Sequence, residues 1–245
     1  MDALSQFELK PVLGALGDAV GFTQSTAHML LAVGIITALM MLGTRQRALI
    51  PGRVQALAES SYEFIHELVT SQIGHEGKRF FPFVFSIFMF ILVGNLLGLL
   101  PYAFTFTSHI AVTFALAAVV FLLVTIVALA IHGTHFFSYF FPEGAPKILA
   151  PLIIPIELIS YLSRPVSLSV RLFANMVAGH VMLKVFATFV VLIGSSAGVL
   201  GVLGASLPLA LNVVLVGFEI LVAFLQAYVF AILTSIYLHD AVHLH

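Results

Sequence analysis

The chain has 245 residues, of which 61% are hydrophobic and only 9% charged, with a mean hydropathy of +1.14. A soluble domain carries roughly 25% charged residues, so a water-soluble architecture is excluded before any motif is read. The 10 Lys and Arg nearly balance the 11 Asp and Glu, which leaves no net field for nucleic acid, and the absence of Cys removes disulfides, thiolate metal sites and thiol nucleophiles.

Residues 1–245 read as one membrane domain with room for about five or six spans. A first span is expected over 26–44. The residues before it, MDALSQFELKP among them, lack the basic region and small-residue cleavage site of a secretory signal, so the span is read as retained and the N-terminus as intact. Arg45, Arg47 and Arg53 follow.

Over 54–74 the pattern becomes amphipathic. Val54, Leu57, Ala58, Ser61, Tyr62, Ile65, Leu68 and Val69 share one helical side, and Glu59, Glu63, His66 and Glu67 the other. That pattern predicts a helix lying in the interface and not spanning. Gly74 to Arg79 then forms a polar turn.

A transmembrane hairpin is predicted over 80–131. Phe80 to Leu100, uncharged but holding Asn95, is joined to Ile110–Ile131 by the loop Tyr102–Ser108, which has no Lys or Arg. A mixed segment from His132 to Lys147 follows, with Glu143. Arg45, Arg47, Arg53, Lys78, Arg79 and Lys147 fall on one side of this arrangement and the uncharged loop on the other. By the positive-inside rule the N-terminus is expected outside, and the C-terminus cytoplasmic if two more crossings follow.

The region 147–240 poses a length problem. Ile148 to Ile193 is apolar for about 46 residues, roughly 70 Å as a helix, against a bilayer core of about 30 Å. Either two short spans break near Arg164–Pro165, or one long helix lies steeply tilted. Gly194 to Ser206 reads as a Gly/Ser-rich break. Its glycines Gly198, Gly201 and Gly204 suggest a flexible turn, since neither a strand nor a Lys-Ser/Thr signal makes them a phosphate loop. Leu207 to Leu238 is a second over-long apolar run.

The few polar residues in this region are ordered. At 100° per residue, Glu157, Ser160, Arg164, Ser167 and Asn175 all fall within roughly 40° of Arg171, and His180 lies opposite. In the next run Asn212, Glu219 and Gln226 are spaced by seven, so they drift by only about 20° each. Ionisable groups at membrane depth are costly and usually face a cavity or partner, which points to an ion or proton path. A structural role stands beside it: Arg171 pairing with Glu157 or Glu219, or Arg164 snorkelling where Pro165 marks a membrane exit. Lys184 reads as a snorkelling residue. His239, Asp240 and His243 have partial metal-ligand spacing but no evident further ligand, so interfacial solvation is the preferred reading and no metal is expected.

The run SRPVSLSVRLFANMVAGH (Ser163 to His180), with EILVAFLQAYVFAILTSIYLHD (Glu219 to Asp240) and GNLLGLLPY (Gly94 to Tyr102), closely resembles subunit a of the F-type ATP synthases. The resemblance covers the chain from the first span onward, in order. It implies an all-α polytopic membrane protein with one N-terminal span, an interfacial helix, a hairpin and two long, strongly tilted helices. It implies a proton-translocating stator, without catalytic site, cofactor or bound nucleotide, working beside an oligomeric ring of c subunits. Peripheral-stalk b subunits and other ATP synthase subunits are the further partners, membrane lipid surrounds it, and the bacterial cytoplasmic (inner) membrane is its expected place, ahead of the mitochondrial inner membrane as the alternative.

By the same resemblance Arg171 is the essential arginine that separates two half-channels. Arg keeps its charge in poor solvent, where Lys readily loses it, and a fixed cation promotes proton release from a ring carboxylate passing beside it. His180 and Glu219 match the inlet pair. In many bacterial relatives the acid holds the first of these positions and the His the second; here they are exchanged, as in the mitochondrial type. Asn175, Gln226 and Asn95 match path-lining positions, and Glu157 and Ser160 the cytoplasmic outlet. Arg164 and Ser167 are expected to tune the outlet or support a kink at Pro165. The rival class is a secondary transporter or channel acting alone, for which the inverted repeat of broken helices is not found.

Overall fold

A computed structural model describes residues 22–45, 50–100, 103–140, 149–196 and 198–243 of the chain. The first 21 residues, Arg47, Tyr102, Glu143 and Lys147, all used in the sequence reading, lie outside the described residues.

The described residues contain six α-helices: α1 (Gln24–Arg45), α2 (Arg53–Ile73), α3 (Phe81–Gly98), α4 (Ile110–His132), α5 (Ala150–Ser196) and α6 (Gly198–Val242). Short 3₁₀ segments occupy Gly74–Arg79, Phe106–Ser108 and Gly133–Phe140. All the helices except α2 are long and apolar enough to cross a membrane. Helices satisfy every backbone polar group within the segment, which is the condition for crossing lipid.

The amphipathic helix forms as its pattern predicts. Ala58, Ile65, Leu68, Val69 and Ile73 are buried, whereas Val54, Leu57 and Tyr62, on the same predicted side, are exposed. Among the described residues that apolar side is covered mainly toward its C-terminal part, with Ala58 buried nearer the start. Gly74 ends α2 with φ +79°, and its N–H donates to the Thr70 carbonyl. The polar stretch after it is a 3₁₀ helix and not an open turn.

The length problem resolves into one helix. α5 runs for 47 residues without a break and carries Pro155 and Pro165 inside it. Proline removes one backbone hydrogen bond and crowds the preceding turn, yet Tyr161, Pro165 and Leu168 are buried together on one side of α5, and packing holds the helix through the site. The predicted break over Gly194 to Ser206 is also narrower than expected. Of its described glycines only Gly198 has positive φ, +55°, while Gly201 and Gly204 lie within the 45-residue α6. An apolar environment with no water to solvate freed backbone groups favours continued helix over a glycine loop.

The chain divides into two compact units. One comprises Met1–Met41, Met89–His109 and Leu172–Ala227; the other Leu42–Phe88, Ile110–Arg171 and Tyr228–His245. The core of the first includes Met89, Ile91, Phe104, Phe106, Leu172 and Met176, and that of the second Ile65, Val84, Phe88, Val120, Phe230 and Leu238. Large apolar side chains remain exposed along α5 and α6, including Ile159, Leu192, Val213 and Phe218. In water such surface would be an association hazard.

Candidate functional site

The polar residues of the first unit converge where α5 and α6 approach. His180 of α5 places Nδ1 2.7 Å from Oε1 of Glu219 on α6. The approach depends on Gly179: a β-carbon there would stand 2.7 Å from the same oxygen. Glu219 is only 3% exposed. No well-aligned hydrogen bond reaches either of its carboxylate oxygens among the described residues, so the His180 contact is an ion pair by distance. Two bare lone pairs at 2.7 Å would repel, so either a proton lies between the groups or they carry opposite charge.

The other imidazole nitrogen is held from a different direction. His180 Nε2 lies 3.0 Å from the Gly98 carbonyl and 2.7 Å from Thr105 Oγ1. A carbonyl only accepts, so Nε2 carries a hydrogen.

A cavity of about 290 Å³ opens beside the pair, lined by Asn175, Gly179, Leu215, Glu219, Val222 and Gln226 among others. A buried water requires about 10–15 Å³ of such space and two to four polar partners. This cavity has both room and partners, and it borders the carboxylate that lacks donors.

Asn95 is fully buried. Its Nδ2 donates to the Ala223 carbonyl at 3.3 Å, and its Oδ1 accepts from Thr107 Oγ1 at 2.8 Å. It is bonded into the protein and is not among the residues lining the cavity.

Arg171 lies in a different setting. Its side chain is exposed on α5, as are those of Ser160 and Ser167, and Glu157 is half-buried. Around them Ile156, Leu158, Val166 and Val170 are exposed as well. The chain therefore presents this arginine outward, in a narrow polar stripe flanked by exposed apolar side chains. Asn175, one turn along the same helix, reaches the cavity.

Arg164, read as part of the same stripe, is engaged elsewhere. Its Nη1 lies 3.5 Å from Asp240 Oδ2, and its guanidinium sits 5.3 Å from the ring of Tyr161 and 4.9 Å from that of Tyr237. Tyr161 is bonded to Thr125 Oγ1 at 2.7 Å. Asp240 thus serves an ion pair. His239 stacks on His243 with centroids 4.8 Å apart, and no group of three metal-ligating side chains occurs among the described residues.

Sequence reasoning thus named His180, Glu219, Asn175 and Gln226, which the structure brings to one pair and one cavity. It missed Thr105, Thr107 and the Gly98 carbonyl. Their only signal in the sequence is the four-residue spacing of Gly94 and Gly98 before a Thr-rich loop.

Residues 26–239 match the family described as ATP synthase A chain. The chain belongs to the ATP synthase subunit a family. It is 66% identical over 245 residues to ATP synthase subunit a of Granulibacter bethesdensis, covering 100% of this chain and 98% of that one. It is 59% identical over the same length to ATP synthase subunit a of Acidiphilium cryptum, with the same coverage of both chains. To ATP synthase subunit a of Rhodospirillum rubrum it is 52% identical over 244 residues, 99% of this chain and 98% of that one. Family membership and the five apolar helices make this a multi-pass membrane protein with bacterial relatives.

Proposed function

We propose that this chain supplies two offset half-channels to a rotating ring of c subunits, with Arg171 between them. As a member of the subunit a family it is the proton-translocating stator of the Fo sector and a non-catalytic subunit of the synthase. In this reading the His180–Glu219 pair and its cavity, with Asn175 and Gln226, form the inlet, Asn95 braces the inlet wall, and Glu157, Ser160 and Ser167 lead from Arg171 to the cytoplasmic outlet. The stretch from Arg171 to Glu157 is about 21 Å at helical rise, long enough to reach an interface. Peripheral-stalk b subunits and the remaining synthase subunits complete the complex. The chain resides in the bacterial inner membrane, N-terminus outside and C-terminus cytoplasmic, with α5 and α6 tilted along the ring, since helices of about 70 Å exceed a bilayer core of about 30 Å.

One observation carries the reading: an exposed guanidinium on an apolar membrane helix. Such a charge is costly against lipid, and the ring carboxylates would offset that cost. Arg171 keeps its charge throughout the cycle, attracts each arriving carboxylate and promotes release of its proton.

The test is Arg171→Lys in the assembled complex, with ATP synthesis driven by a proton gradient across vesicles. Synthesis is expected to be abolished, and Arg171→Ala is expected to leave a passive proton leak. Normal coupled synthesis by the lysine variant would overturn the assignment.

A further inference from the structure

The segment between α3 and α4 is seated against α3 by contacts that converge on His180. Gly94 and Gly98 lie one helical turn apart. A β-carbon at Gly94 would fall 2.3 Å from the Phe106 ring, and one at Gly98 would fall 2.3 Å from Thr105 Oγ1. Phe106 is fully buried in the resulting notch and stacks near Phe90 with centroids 5.1 Å apart. His28 secures the segment from α1: its Nδ1 bonds the Gln24 carbonyl at 2.8 Å, and its Nε2 accepts from the backbone N–H of Phe104 at 3.2 Å. Donor on one nitrogen and acceptor on the other define a neutral imidazole. Ser108 Oγ donates to the Thr105 carbonyl, which closes the turn.

This seat delivers one hydroxyl to a titratable ring. Thr105 is 4% exposed, and its Oγ1 lies 2.7 Å from His180 Nε2, beside the Gly98 carbonyl at 3.0 Å. Because the carbonyl requires Nε2–H, and one protonated nitrogen cannot accept from a hydroxyl, Thr105 Oγ1 accepts as well. The two acceptors share the Nε2 hydrogen. The nitrogen left to gain or lose a proton is Nδ1, which faces Glu219 at 2.7 Å.

We infer that Thr105 is a positioning residue for proton uptake: with the Gly98 carbonyl it pins the Nε2–H of His180, so that proton exchange runs through Nδ1 and Glu219. The inference rests on the inlet reading of His180 and Glu219. It assigns a role to the Gly94–Gly98 notch as well, which seats the threonine rather than binding anything itself.

The experiment compares Thr105→Val and Thr105→Ser in the assembled synthase, with ATP-driven proton pumping measured in vesicles at matched complex content. Valine keeps the shape and removes the acceptor, while serine keeps the acceptor. Loss of one hydrogen bond to an ionisable group predicts a drop of about fivefold or more for valine, and serine is expected to restore pumping to within about twofold of the parent. Should valine block assembly, alanine at the same position only removes atoms and reads the same loss. Parent-like pumping by the valine or alanine variant, or serine failing as badly as valine, overturns the inference. His180→Ala run alongside separates the two levels. If it abolishes pumping while Thr105→Val does not, the inlet reading stands and only the role of Thr105 falls; if both pump normally, the inlet reading falls too.

Discussion

The carboxylate of Glu219 occupies space that a β-carbon on residue 179 would contest: the nearest oxygen would lie 2.7 Å from it. Gly179 is therefore what lets α5 and α6 bring an acid against the His180 imidazole. The atom in conflict is the far end of a flexible side chain. Gly179→Ala is accordingly expected to fold and assemble, with Glu219 turned away from His180. Proton pumping in vesicles should fall several-fold at unchanged complex content, and parent-like pumping would remove the significance of this close approach.

His180 and Glu219 act as one unit if a proton or an opposite charge lies between them. Residues in such contact are non-additive on substitution. His180→Ala and Glu219→Gln should each lower proton conduction strongly, and the double variant should be little worse than the more severe single. The exchanged variant, His180→Glu with Glu219→His, retains one acid and one imidazole and should conduct better than either single change. Strict additivity in the conduction rates would show that the two groups work independently.

Phe106 fills the notch above Gly94, where a β-carbon would stand 2.3 Å from its ring. Gly94→Ala should hinder membrane assembly of the subunit. Removing the buried ring by Phe106→Ala costs about 3–5 kcal/mol in a well-packed core. Combining the two should cost less than the sum, because the small side chain relieves the clash. Subunit content in membranes, measured by immunoblot, reads this directly; a fully additive loss would place the two residues out of contact.

Arg164 is fastened to Asp240 at 3.5 Å and flanked by the rings of Tyr161 and Tyr237. The ion pair is partly exposed, so breaking it by Asp240→Asn should cost about 0–1 kcal/mol. Arg164→Ala also removes two ring contacts worth about 0.5–1 kcal/mol each at such sites, and should be the more destabilising change. Thermal unfolding of the purified complex measures both. If the outlet depends on Arg164 itself, Arg164→Ala would depress proton release while Asp240→Asn, which keeps the guanidinium, would not, so pumping should be scored on the same samples.

Several features were legible in the residues before any coordinates. The charge deficit and the long apolar runs required membrane helices, because lipid offers no partner for an open backbone. The seven-residue spacing of Asn212, Glu219 and Gln226 already put those groups on one side of a helix, and Glu219 and Gln226 now line one cavity. The fate of the 148–193 run was not legible. Proline opposes a continuous helix locally, and only the folded chain shows α5 running unbroken through Pro155, which is exposed, and Pro165, which is buried with Tyr161 and Leu168. Gly201 and Gly204 misled for the same reason: glycine permits a turn but does not require one.

Composition and periodicity therefore decided that this is a helical membrane protein and which side of each apolar run carries its few polar groups, since these follow from burial cost and helical pitch alone. Which groups meet was decided by tertiary structure. Arg164 and Arg171 share a stripe, yet one is held by Asp240 and the other is exposed. His180, opposite that stripe, meets a glutamate 39 positions away along the chain and a threonine 75 positions away. Helical phase orders the residues on one helix; contacts across elements depend on where a glycine leaves room for another element's side chain, and that is a property of the packed chain.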